Sequence, residues 1–261
     1  MEERTTTDYA RNFDPEWFLS HYHCPVDDKD GMGQGLKSIQ DTLHDLCSQD
    51  VRFGERLLDV GTGPTVHSVL RISREVRDID LSDYTPGNIQ ILKDWKDGKR
   101  NEEMSLIQYE MKLVGDTRPV EEREQELRDK VKGIYAIDVT TGNVFIEHAP
   151  KNPSYDVITS LLCLEAVSDS REVYKKCLAN VTRLVKEGGY IIMLGVLEST
   201  FYKVGSFRFP CAPITAEDVI AGVKANGFKV IKFTSLPTPG MEDNEFSDCK
   251  ATFGILAQKS T

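Results

Sequence analysis

From about residue 55 onward the chain alternates short apolar runs with longer amphipathic ones. Arg56–Val60 is apolar and ends in Asp-Val-Gly. The runs 76–81, 132–139, 155–162, 190–197, 228–233 and 251–257 are also of strand length. Between them, 65–74 carries Val66, Val69 and Leu70 at helical spacing. Pro86–Lys96 opens with proline in its first turn. Segment 170–186 is amphipathic and stops at Gly188-Gly189, and 215–226 stops at Gly227. The charged run around 121–130 reads as a solvated helix face.

This order predicts an α/β fold: a mostly parallel sheet with helices on both faces and right-handed crossovers. A ligand then belongs at the carboxyl ends of the strands, at the switch point. Residues 1–50 precede the first strand and space Phe13, Trp17, Phe18, Tyr22 and His23 as one aromatic face. They are expected to form a helical lid, with 51–261 as a single compact domain.

Composition narrows the partners. The 261 residues, 39% of them hydrophobic, suffice for one substantial α/β domain. A net charge of −10 repels phosphate backbones, which argues against nucleic acid. Six cysteines, at 24, 47, 163, 177, 211 and 249, form no Cys-x-x-Cys pair, so reduced thiols in a cytoplasmic protein are expected. The N-terminus shows no signal-peptide pattern, and the longest apolar runs fall short of the ~20 residues that span a bilayer. No membrane association is expected. His21, His23 and Cys24 lie too close in sequence to converge on one ion, so no metal site is expected. Nothing in the pattern suggests a coiled coil.

The strongest chemical signal is Leu57-Leu58-Asp59-Val60-Gly61-Thr62-Gly63-Pro64-Thr65, an apolar strand entering a glycine turn before an expected helix. Glycines let backbone approach a ligand, and a helix N-terminus offers free N–H groups. There is no Gly-Lys-Ser/Thr for a phosphate loop and no third glycine at 65. An acid before the first glycine disfavours a pyrophosphate but accepts from an ammonium, which S-adenosylmethionine carries. Asp83, after the second strand, is placed to bind a ribose diol, with Asp78 and Asp80 as competitors. Asp138-Val139, after the third, suits an adenine amino group. Leu161, Leu162, Cys163 and Glu165 end the fourth, beneath the expected sulfonium.

These segments resemble the small-amine N-methyltransferase family: nicotinamide, phenylethanolamine and indolethylamine N-methyltransferases. The resemblance rests on Asp59-Val60-Gly61-Thr62-Gly63-Pro64-Thr65-Val66, Ser82-Asp83-Tyr84-Thr85-Pro86-Gly87-Asn88, Ile137-Asp138-Val139 and Cys163-Leu164-Glu165-Ala166-Val167. Phe13-Asp14-Pro15, Gly188-Gly189-Tyr190 and Leu197-Glu198-Ser199-Thr200-Phe201-Tyr202 extend it over nearly the whole chain. It implies a class I S-adenosylmethionine-dependent methyltransferase, Rossmann-like with a seven-stranded sheet. Together with the lack of a coiled-coil pattern, it leads to the expectation of a monomer. It implies cofactor-binding roles for Tyr9, Phe18, His23, Gly61, Thr62, Gly63, Thr65, Asp83, Tyr84, Asn88, Asp138, Val139 and Leu161. Tyr22, Leu162, Glu165, Ser199 and Tyr202 would line the substrate, with Glu165 catalytic.

Some positions depart from the family. Phe18 and His23 stand where tyrosines are usual, and His67 replaces another tyrosine. Ser199 stands where the phenylethanolamine enzyme has a glutamate, and Gly195 where the nicotinamide enzyme has an aspartate. The expected reaction is direct transfer of a methyl group from the sulfonium to the nitrogen of a small aromatic amine or azine such as nicotinamide. Phenylethanolamine- or indolethylamine-type acceptors are the alternative. A nucleotide-dependent oxidoreductase and a catalytically silent cofactor-binding relative are further alternatives.

Overall fold

The computed structural model describes residues 6–26, 32–102, 104–238 and 244–261. Two short helices, α1 (Thr6–Asn12) and α2 (Pro15–Tyr22), come first. The Asp14 carboxylate caps α2 by accepting from the N–H groups of Glu16 and Trp17, and Pro15 pre-sets its first turn. Then follow α3 (Met32–Cys47), β1 (Arg56–Val60), β2 (Asp78–Asp83), α4 (Pro86–Lys96), α5 (Met104–Leu113) and α6 (Val120–Lys130). The chain continues with β3 (Val131–Ala136), β4 (Tyr155–Leu161), α7 (Arg171–Thr182), β5 (Val185–Leu197), β6 (Phe201–Val204), β7 (Phe207–Pro210), α8 (Ala216–Ala225), β8 (Phe228–Pro237) and β9 (Ala251–Lys259).

The seven-stranded sheet has the order β3-β2-β1-β4-β5-β9-β8, parallel except for antiparallel β9. The order reverses between β1 and β4, so a crevice opens at their carboxyl ends. Alternating strand residues feed two cores. Leu57, Ile79, Ile192 and Leu256 pack toward α3, α4, α5 and α6. Leu58, Ile158, Ile191 and Ile255 pack toward α7 and α8. Both faces are covered, which is why the central strands β1, β4 and β5 carry continuous apolar runs rather than alternating ones.

Several expectations shift. Segment 65–74 is no α-helix: it is a series of turns ending in one 3-10 turn, Ile72–Arg74. Side chains take over its backbone groups there. The Thr65 hydroxyl accepts from the His67 N–H, and the Glu102 carboxylate accepts from the Val66 N–H. Helix α7 ends at Thr182, because Val185 already pairs with Tyr155 in the sheet. The run around 121–130 is not simply solvated: Arg123 and Glu124 of α6 are buried. Segment 1–50 divides. Leu36, Leu43 and Leu46 of α3 share one core cluster with the sheet, leaving α1 and α2 as the outer cover. No helix among the described residues is long and apolar enough to cross a membrane. All six cysteines are free thiols.

Candidate active site

Four strand ends build one side of a cavity of about 720 Å³. Helices α1 and α2, the β6–β7 hairpin and the loop after β8 close the other side. That size suits a nucleoside-sized ligand with a small second one.

The glycine turn is shaped by contact. Gly61 has φ +72°, and a Cβ there would lie 2.2 Å from Cys163 Sγ. Gly63 also has positive φ but faces open space. The Asp83 carboxylate organises the turn, accepting from Gly63 N–H at 2.8 Å, Thr85 N–H at 2.7 Å and Asn88 Nδ2 at 3.0 Å. Burial pushes its pKa up, and those donors offset part of the shift. Asn88 Oδ1 is buried with no partner among the described residues. Two acceptors side by side, Asp83 and Asn88, match a diol, which brings two donors. Asp78 instead pairs with Arg77, and Asp80 takes the Tyr155 hydroxyl and Arg56, so the competitors drop out. Asp138 lines the cavity and accepts from Thr140 N–H and hydroxyl.

Asp59 does not serve as the ammonium acceptor expected of it. It is fully buried, and its oxygens accept from the hydroxyls of Ser68 and Thr159. It ties the turn to β4 and lies outside the cavity lining. With no helix following the turn, the cradle for a diphosphate is missing too, which counts against the oxidoreductase alternative.

Sixteen of the expected residues line the cavity: Tyr9, Phe18, Tyr22, His23, Gly61, Thr62, Gly63, Asp83, Tyr84, Asn88, Asp138, Val139, Leu161, Leu162, Glu165 and Tyr202. Thr65 and Ser199 do not. Thr65 pairs with His67 Nδ1 at 2.8 Å, and the single Ser199 hydroxyl proton lies within reach of Phe201 O and Asp248 Oδ1, each 3.0 Å from Oγ. Both are buried supports. Leu162 holds a left-handed φ of +53° and stays 41% exposed toward the cavity, a strained backbone at the strand end.

Glu165 is buried, and burial raises its pKa to about 7. Its Oε1 accepts from Val196 N–H at 3.0 Å. A neutral histidine pair joins the cover to the segment after the glycine turn. His23 from the end of α2 and His67 from beyond the glycine turn have ring centroids 4.9 Å apart. Burial lowers both, His67 to about 4. His21 instead stacks on Trp17. Tyr22 Oη donates to Lys203 O, and Glu16 pairs with Arg100, fastening α2 across the cavity.

Other lining residues had no site role in the sequence reading: Ser38, Ile39 and Thr42 of α3, Cys211, and Phe246 and Cys249 of the loop after β8. The spacing of Leu36, Leu43 and Leu46 was a usable signal for α3. The loop residues had none, because only tertiary packing returns them to the cavity.

Gly61→Ala is expected to lower affinity for S-adenosylhomocysteine at least ten-fold by calorimetry. The substitution meets both the positive φ and the Cys163 side chain, so it also costs about 1–3 kcal/mol of stability.

Among solved structures, the [4+2]-cyclase SpnF matches with a TM-score of 0.59 at 14% identity, covering 100% of this chain and 98% of that one. Magnesium protoporphyrin IX methyltransferase (ChlM) from Synechocystis PCC 6803 with bound SAH matches at 0.58 and 12%, covering 97% of each. These establish the class I methyltransferase fold, and one being a cyclase and the other a methyltransferase shows that the fold alone does not choose a reaction. In sequence, nicotinamide N-methyltransferase of Homo sapiens is 29% identical over 256 residues, 96% of this chain and 94% of that protein. Phenylethanolamine N-methyltransferase of Macaca mulatta is 28% identical over 95% of this chain and 89% of its own. Indolethylamine N-methyltransferase of Mus musculus is 28% identical over 86% and 85%. The model of the NNMT/PNMT/TEMT family matches residues 3–260, and this chain belongs to that family.

Proposed function

We propose that this protein moves a methyl group from S-adenosylmethionine to the nitrogen of a small aromatic amine or azine. The observation that carries the reading is Glu165: a buried carboxyl with pKa raised to about 7, lining the cavity at the strand ends opposite an aromatic cover.

S-adenosylmethionine supplies an activated methyl group. Gly61, Gly63, Asp83, Asn88 and Asp138 would hold its nucleoside, an assignment supported by the unpaired Asn88 acceptor beside Asp83. The protein's task is then to orient a nitrogen and keep water out. Tyr22, Phe246 and Phe18 offer ring faces for a flat substrate or a cationic centre. Glu165 would bind an ammonium and accept its proton, because a protonated nitrogen has no lone pair to attack with.

Titration calorimetry with S-adenosylmethionine and with NAD tests the cofactor side. Methyl-transfer assays with nicotinamide, a phenylethanolamine, an indolethylamine and a thioether test the acceptor. Binding of S-adenosylmethionine but not NAD, with turnover on a nitrogen acceptor, is expected. Binding without turnover on any of the four would mark a silent relative.

A further inference from the structure

Gly195 lies in the middle of β5, and its φ is outside the left-handed region, so backbone conformation does not require glycine there. What it supplies is room. A Cβ at 195 would lie 2.4 Å from Glu165 Oε1, 2.9 Å from its carboxyl carbon and 2.7 Å from Phe253 Cε1. The Glu165 carboxylate thus occupies the volume that any side chain at 195 would take, and Val196 N–H pins it there at 3.0 Å. A carboxylate at 165 in this position and a side chain at 195 exclude each other.

The surroundings leave one chemical demand open. Among the described residues, the titratable neighbours of Glu165 are Cys163 on its own loop, Tyr174 of α7 and Cys211 after β7. Burial pushes all three up, so each is neutral at pH 7. Backbone N–H groups, not a cation, offset the burial of the carboxylate. An ammonium in the cavity would supply the missing positive charge.

We infer that Gly195 is a positioning residue that sets the substrate class: by keeping β5 free of a side chain it seats Glu165 for a primary or secondary aryl-bearing amine, in preference to a neutral azine. The inference rests on the proposed methyl transfer. In the step it governs, an ammonium N–H bond breaks, an O–H bond forms on Glu165, and the electron pair stays on nitrogen.

The test compares kcat/KM for 2-phenylethylamine and for quinoline across pH, in wild type, Gly195→Ala, Glu165→Asp and the double variant. Affinity for S-adenosylhomocysteine by calorimetry serves as the check on folding. Gly195→Ala should lose at least ten-fold more on the amine than on the azine, and its amine profile should lose the rise near pH 7. Adding Glu165→Asp, one methylene shorter, should recover several-fold of the amine rate. Should Gly195→Ala not fold, the double variant compared with Glu165→Asp decides: with the carboxylate withdrawn from β5, adding alanine at 195 should change the amine rate by less than about two-fold, and a ten-fold loss would overturn the inference. Equal losses on both acceptors, or no recovery in the double variant, would overturn the inference. Wild type acting on quinoline alone would overturn it and leave methyl transfer standing. Wild type acting on neither would overturn the inference, and turnover on nicotinamide or on the thioether then decides whether methyl transfer itself stands.

Discussion

Glu165→Gln is expected to lower kcat/KM for a primary amine by about 10²- to 10³-fold, the range of a lost general base. The loss on an azine should be at least ten-fold smaller, because a pyridine-type nitrogen is neutral at pH 7 and has no proton to give up. The substitution keeps size and shape, so the difference between acceptors isolates the proton. In wild type, the buried carboxyl with pKa about 7 makes amine turnover rise with pH through neutrality, and the glutamine variant should lack that rise. Equal losses on both acceptors would mean that Glu165 serves structure or binding only.

The same group predicts a stability effect with a definite sign. Its folded pKa lies above the ordinary value of 4.5, so the native state holds an extra proton between about 4.5 and 7. The stabilisation from that proton is full below 4.5 and is lost as pH rises through 7. Glutamine cannot ionise. Relative to wild type, Glu165→Gln should therefore gain about 2.5 kcal/mol between pH 5 and pH 8, because each tenfold change in proton affinity is worth about 1.4 kcal/mol. Urea denaturation at the two pH values measures it.

The largest stability loss is expected from Glu110→Ala, about 3–5 kcal/mol by urea denaturation. Glu110 of α5 is fully buried and takes two hydrogen bonds from Arg74, at 2.5 and 2.9 Å. Its Oε2 also lies 3.5 Å from Arg123 Nε, and the Arg123 side chain has no exposed surface. Arg123 in turn donates to Leu70 O and Ser73 Oγ, both at 2.6 Å, tying α6 to the turns that follow β1. Removing the carboxylate leaves a buried guanidinium with Glu126, 3.8 Å away, as its remaining anionic partner among the described residues. Replacing the pair together, Glu110→Leu with Arg123→Met, should recover most of the loss, because apolar side chains of similar volume carry no desolvation cost there. A double variant no better than the single would show that packing, rather than the stranded charge, sets the stability.

Local order decided a good deal of this protein. Seven sheet strands, the glycine turn, Asp83, Asp138 and Glu165 are all legible in the sequence, because period, turn chemistry and position at a strand end are properties of a few neighbouring residues. Even the order of those acids along the chain follows from the strand–helix alternation. Partnership decided the rest. Whether Asp59 faces a ligand or spends its oxygens on Thr159 depends on a residue 100 positions away, through a bond between strands. The burial of Arg123, the pairing of His23 with His67 and the return of Phe246 to the cavity are likewise set by packing of distant segments. So is the seat of Glu165 over Gly195, 30 residues on. A side chain's charge state and direction are fixed by what surrounds it, and only the closed tertiary structure supplies those surroundings.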